Sequence, residues 1–276
     1  MIKAICMDLD GTLLTSEKTI SSKTQQGLKS YAKQGVQLIL ASGRTRKRMQ
    51  DYADIIDLEV SDGKIIESNG VAIYDYEKDS YEVIRRMKFG EVKEIVDFLK
   101  TQKVEILIMG EENVFIILAP GEKESSYIRS SSNMEGLKNR KFFYIKDIDE
   151  INEAVNKVCV FENEKLVNEL YEKLSKDTFK HAYWCGRTLP VWLEIGPASV
   201  SKGNALVKIM ERYQWKDDEV IVFGDGENDL SMLGTVKNSV AMGNAMESVK
   251  AACAFECGTN DEDGIINFLK EKEEIL

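Results

Sequence analysis

Short, nearly unbroken apolar runs alternate with amphipathic stretches at both ends of the chain, and most of the runs stop on polar or acidic residues. Residues 2–7 suffice for one buried strand and lead straight into Asp8. Ser21 or Ser22 is placed to cap a helix running to about Gln34, and Gly35 to end it. Residues 36–41 form a second apolar run, of the kind a parallel sheet buries on both faces. A second helix is expected from Thr45 to about Ile55. A third strand, 64–67, leads into the turn Ser68-Asn69-Gly70, and 71–76 with 81–87 suit a hairpin around Glu77-Lys78-Asp79. Strand, helix, strand, helix predicts a parallel, doubly wound sheet.

The period changes near residue 87. Residues 91–100 place Val92, Ile95, Val96 and Leu99 on one helical face. Strands are expected over 104–109, 114–118 and 155–161, and a helix over 164–175 with Leu166, Leu170 and Leu174 inward. Strands 179–185 and 189–195 flank Gly186-Arg187, which has the character of a hairpin turn. The Ser-rich, charged segment 121–139 predicts no element. This block is α+β and mainly antiparallel. The alternating pattern returns after Pro197, with a helix from Ser201 to about Tyr213 and a strand over 219–223. That strand ends in Gly224-Asp225-Gly226-Glu227-Asn228-Asp229, where another helix is expected to begin. A strand 239–242, a helix 245–251, an edge strand 254–255 and a helix 264–270 follow. The expected fold class is α/β: a doubly wound parallel-sheet (Rossmann-like) core of residues 1–86 and 196–276, with an inserted α+β domain of residues 87–195.

At 276 residues the chain suits one large domain or two ordinary ones. Its net charge of −10, spread rather than blocked, argues against nucleic acid as a general partner but leaves room for a local cationic pocket. Five cysteines, at 6, 159, 185, 253 and 257, with the single His181, make a zinc site a poor fit and free thiols in a reducing cytosol the default. No secretory signal or membrane-spanning run is visible, so a cytoplasmic protein without a membrane partner is expected. Oligomeric state is not legible.

In open α/β sheets, ligands gather at the carboxyl ends of the strands. Asp8-Leu9-Asp10-Gly11-Thr12 stands at one such end. Alternation along a strand would send both carboxylates to one side. Two unit charges ~5 Å apart at an effective dielectric of ~20 repel by on the order of 3 kcal/mol. A divalent cation between them turns that penalty into a site. Ser42-Gly43, at a second strand end, is either a simple turn or a hydroxyl and amides for a phosphate oxygen. The loop from Gly224 lacks the third glycine of a dinucleotide fingerprint and carries too many acids for pyrophosphate, so a metal suits it better. Lys202 taken alone is an ordinary surface lysine.

Four motifs in order, Asp8-Leu9-Asp10-Gly11-Thr12, Ser42-Gly43-Arg44, Lys202-Gly203 and Gly224-Asp225-Gly226-Glu227-Asn228-Asp229, resemble those of the haloacid dehalogenase superfamily of phosphohydrolases, in its Cof-like branch with a large α/β cap. The resemblance covers nearly the whole chain and implies a Mg²⁺-dependent phosphatase of small phosphorylated metabolites, sugar phosphates or phosphorylated cofactors. It implies Asp8 as nucleophile, forming an aspartyl-phosphate, and Asp10 as general acid and base. It implies metal ligation by Asp8, the Asp10 carbonyl and Asp225, with Asp229 behind them. Ser42, Gly43, Lys202 and Asn228 would bind phosphate, and Arg44, Asn69 and Arg187 would lie on the leaving-group or cap side. The inserted domain would serve as a lid. The lead-in Gly196-Pro197-Ala198-Ser199-Val200-Ser201 departs from the polar or glycine-rich one of relatives, which concerns only the local loop. Two alternatives stand beside this: a phosphomannomutase-like mutase, for which Arg129, Lys138, Arg140 and Arg187 are candidate cations, and a regulator that has lost catalysis.

Overall fold

The apolar runs from the two ends of the chain become neighbours in one sheet. The computed structural model describes residues 1–131, 141–175, 183–189 and 191–272. Its strands are β1 (Ala4–Asp8), β2 (Gln37–Ala41), β3 (Lys64–Glu67), β4 (Ala72–Asp75), β5 (Ser80–Val83), β6 (Ile106–Gly110), β7 (Val114–Ile117), β8 (Phe142–Tyr144), β9 (Val155–Phe161), β10 (Tyr183–Leu189), β11 (Trp192–Pro197), β12 (Val220–Gly224), β13 (Asn238–Ala241) and β14 (Phe255–Glu256). The chain divides into two units, Met1–Ile84 with Val200–Leu276, and Arg85–Ser199.

In the first unit the strand order is β14-β13-β12-β1-β2-β3-β4-β5. Neighbours from β14 to β3 run parallel, and β3, β4 and β5 form an antiparallel edge. β1, β12 and most of β2 are apolar and buried throughout, because helices cover both faces of such a sheet. The helix Ser22–Lys33 is capped by the Ser21 hydroxyl, which accepts from the Thr24 amide, and it buries Leu28 and Ala32. The helix Lys202–Tyr213 is capped in the same way by Ser201, through the Asn204 amide, and buries Ala205, Leu206 and Ile209. Parallel register puts Asp8 opposite Ala41 and Met7 opposite Phe223. The residues that follow β1, β2 and β12 therefore share one edge of the sheet.

The amino ends of the strands carry a different polar cluster. Lys64, fully buried at the start of β3, donates to Gln37 Oε1 at 2.6 Å and lies 3.4 Å from Asp75 and 3.3 Å from Glu77. Asp75 also accepts from Tyr213 at 2.7 Å and from Arg212 at 3.3 Å.

The second unit is a six-stranded sheet in the order β10-β11-β9-β6-β7-β8, antiparallel except between β7 and β8. The helices Phe89–Thr101 and Glu164–Leu174 pack Val92, Ile95, Val96, Leu99, Val167, Leu170 and Leu174 into one core with Ile106, Ile108, Val158, Val160, Leu193 and Ile195. Val167 takes the inward place expected of Leu166, which is only partly buried. Gly186 and Arg187 are not a turn: they pair with Glu194 and Leu193 inside the β10–β11 ladder. The indole of Trp184 lies against Gly186, where a Cβ would collide with it, so this glycine marks close packing within a strand.

Within 121–139 a helix, Ser126–Ser131, does form. Its first amides, of Ser126 and Tyr127, bond to the buried carboxylate of Glu105 at 3.0 and 3.1 Å. That cap comes from far along the chain, where local pattern cannot reveal it. Residues 132–139 of that segment lie outside the described residues, as do His181, Lys138 and Arg140. Among the described residues no helix is long and apolar enough to cross a membrane.

Candidate active site

β1 delivers Asp8 to the carboxyl edge of the sheet, 5% exposed. The helix Lys202–Tyr213 delivers Lys202, whose side chain is fully buried. Its ammonium donates to Asp8 Oδ1 and, at 2.6 Å, to Asp229 Oδ1. The lysine that looked like a surface residue is thus the cation between two acids. The other oxygen of Asp229 accepts from the amides of Asp225 and Gly226 at 3.0 and 3.1 Å. These bonds close the short 3₁₀ turn Glu227–Asp229, and the α-helix expected here begins only at Leu230. Asp225 in turn accepts from the Thr12 hydroxyl at 2.7 Å. Gly11, at φ +85°, lies so close to the Asp225 carboxylate that any Cβ would run into it. Asp8, Asp225 and Asp229 each place a carboxylate oxygen within 4.8 Å of the other two.

Charge is unbalanced at this point. Burial, then the charge of Asp229, raises the Asp8 carboxyl well above its ordinary range, against the pull of Lys202. Burial and Asp229 likewise push Asp225 up to about 6. Burial alone would lower the Lys202 ammonium, but Asp229 and Asp8 overcome it and hold its pKa above the usual value.

Asp10 does not join these acids. β1 ends at Asp8, so alternation stops there and the Asp10 carboxylate turns elsewhere. It accepts from Arg44 Nε at 2.8 Å and Nη2 at 2.6 Å, and from Lys18 Nζ at 2.9 Å. Burial would raise its pKa, but Arg44 and Lys18 together bring it below the ordinary carboxylate range. The Arg44 guanidinium also sits 5.5 Å from the centre of the Tyr52 ring. Lys18 and Thr12 were not singled out from the sequence. The signal for Thr12 was its place inside the first motif, whereas Lys18 sits in a polar loop that carries none.

Ser42 follows β2 and is 2% exposed. Its amide donates to Ile66 O at 3.0 Å, and its hydroxyl accepts from the Arg44 amide at 3.2 Å. Gly43, between them, is half-buried. The Asn69 amide donates to Ser42 O at 2.9 Å, and Asn69 Oδ1 accepts from Asn228 Nδ2 at 3.4 Å. Through Asn69 these bonds link the second motif to the fourth. Of the cap-side candidates, Arg129 lies 3.9 Å from Glu122, and the side chain of Arg187 lies outside what the structure describes.

Sheet order and acid cluster together define a class: a doubly wound α/β protein with clustered acids at the carboxyl edge of its sheet, where such folds gather ligands. A model described as haloacid dehalogenase-like hydrolase matches residues 5–269, and the chain belongs to that family. It is 27% identical to the 5-amino-6-(5-phospho-D-ribitylamino)uracil phosphatase YwtE of Bacillus subtilis, over 98% of each chain. It is 26% identical to the pyridoxal phosphate phosphatase YbhA of Escherichia coli, over 97% of each. Among solved structures, a haloacid dehalogenase-like hydrolase from Bacteroides thetaiotaomicron aligns at TM-score 0.82 with 28% identity, covering 98% of this chain and 99% of that one.

Proposed function

We propose that the protein is a Mg²⁺-dependent phosphatase of small phosphorylated metabolites that works through an aspartyl-phosphate on Asp8. The observation that carries this is the excess of negative charge: three clustered carboxylates share one buried amine. An all-oxygen donor set of that charge suits a hard divalent cation. Asp8, the Asp10 carbonyl and Asp225 are the residues to hold it, with Asp229 fixing Lys202 and the amides of the Asp225 loop. When bound, Mg²⁺ supplies charge neutralisation between these acids and a phosphate dianion.

Asp8 attacks phosphorus while the leaving oxygen takes a proton from Asp10. Asp10 then removes a proton from the water that hydrolyses the acyl phosphate. Arg44 and Lys18 bind the Asp10 carboxylate in this structure and hold its pKa low, so the first step requires Asp10 to leave them and take up a proton, which the later removal of a proton from water returns to it. Lys202, the Ser42 hydroxyl and the Gly43 amide bind the phosphoryl oxygens, with Asn228 beside them, which is the positioning and charge compensation that phosphoryl transfer needs. Relatives named for a phosphoribityl-uracil and for pyridoxal phosphate support small phosphorylated metabolites as the substrate class. Five free cysteines suit a reducing compartment, and the cytoplasm is the one proposed.

The test is phosphate release from a panel of sugar phosphates and phosphorylated cofactors by the purified chain. Release that EDTA abolishes and Mg²⁺ restores is expected. No release from any member in the presence of Mg²⁺ overturns the assignment.

A further inference from the structure

A third loop, with no place in the chemistry above, ties together the two loops that carry the acids. It runs from Met242 to Met246, after β13. The Asn244 side-chain amide donates to Gly11 O at 2.8 Å. Two residues on, the Met246 amide donates to Asp225 O at 3.1 Å. One short segment therefore grips the backbone beside Asp10 and the backbone of Asp225.

The grip is itself braced. Asn244 Oδ1 accepts from the Asn260 amide at 3.0 Å, and the Gly243 amide donates to Gly258 O at 3.1 Å. Asn260 Nδ2 reaches Leu14 O at 2.7 Å, and Asp261 Oδ1 accepts from the Ser16 amide at 2.8 Å. Gly11 O, Leu14 O and Ser16 N–H are thus held in sequence by Asn244, Asn260 and Asp261. The loop so held contains Gly11, whose left-handed backbone sets the direction of the Asp10–Gly11 peptide, and Thr12, which bonds Asp225.

We infer that Asn244, braced by Asn260, is a positioning residue: it sets the spacing between the Asp10–Thr12 backbone and Asp225. This rests on the phosphatase assignment for its kinetic consequence but not for its structural one. The side-chain bonds of Asn244 lie at an exposed position, so their loss costs little stability. A small misplacement of reacting groups can still cost ~100-fold in rate.

The experiment compares wild type, Asn244→Ala, Asn244→Asp and Asn260→Ala, all as full chains. It measures kcat and KM on p-nitrophenyl phosphate with Mg²⁺, the melting temperature, and amide hydrogen exchange over residues 9–18. For both Asn244 variants kcat is expected to fall at least ~10-fold, with KM changed less than ~3-fold. Exchange over 11–16 is expected to rise ~10-fold while that of β1 and β12 stays unchanged. Asn260→Ala should move the same readouts in the same direction by less. Asn244→Asp keeps the shape but loses the donor, so it must fail as Asn244→Ala does. Unchanged exchange over 11–16 in Asn244→Ala overturns the inference, as does Asn244→Asp with wild-type kcat, or a kcat loss matched by a general fall in melting temperature. If wild type releases no phosphate, the assigned function fails, and the exchange measurement alone decides the role of Asn244.

Discussion

The core sheet buries two lysines against acids, one at each end of its strands, and the two sites are electrically opposite. Lys64, at the amino ends, faces Asp75 and Glu77, with Arg212 and the Tyr213 hydroxyl also on Asp75. Those partners outweigh the effect of burial on Asp75 and bring its carboxyl below the ordinary range. Burial, on balance, lowers the Lys64 ammonium despite its acids. At the carboxyl ends Lys202 faces the carboxylates of Asp8 and Asp229 with Asp225 close by, and there burial and the charge of Asp229 raise the carboxyls of Asp8 and Asp225 while the acids raise the Lys202 ammonium. The first site is a matched network and the second is short of positive charge. In the first the charges balance, although Asp75 Oδ1 is left without a hydrogen bond among the described residues, which suits a structural role; the second is the one we propose to take a cation. That difference separates two buried lysines that the sequence presents alike.

The largest effect should come from Asp8→Asn. Turnover of an aryl phosphate is expected to fall at least ~10⁴-fold, as for loss of a nucleophile. Melting in metal-free buffer should stay level or rise, because one uncompensated charge is gone. A variant that melts well below wild type would show that the acids there support the fold.

Asp75→Asn should give the reverse pattern. Breaking a buried pair from one side is expected to cost about 3 kcal/mol of unfolding free energy in urea, with kcat and KM close to wild type. A loss of kcat without a loss of stability would move this cluster into the machinery.

The smallest effect is in acid. The folded pKa of Asp75 is depressed, so its contribution to stability is complete above the unfolded value of ~3.9 and is lost as pH falls through the folded one. Urea unfolding followed from pH 5 down to pH 3 should therefore fall less steeply in Asp75→Asn than in wild type. Parallel curves would mean that Asp75 is not held ionised by its neighbours.

Much of this molecule was legible because its signals are local. Ser21, Gly35 and Ser201 mark helix ends by their own chemistry, and the apolar runs of β1, β2 and β12 need no partner to be recognised. What escaped depends on partners distant in sequence. Lys202, which the family resemblance marks but its own surroundings do not, is solvated or buried according to whether Asp8 and Asp229 meet it, which no window around residue 202 contains. The direction of Asp10 depends on Arg44 and Lys18, and the end of a strand cancels the alternation that predicted it. Glycine between two apolar runs most often means a turn, whereas the indole of Trp184 makes Gly186 a packing position.

The order of synthesis follows from how the first unit is threaded. β1 pairs with β12, Ala4 against Val220, so the strand that ends in Asp8 has no partner on that side until most of the chain has left the ribosome. Residues 85–199, continuous in the chain, emerge complete before then. β1 is thus made well before the strand that seals it, and a half-made chain carries an apolar strand with an open edge.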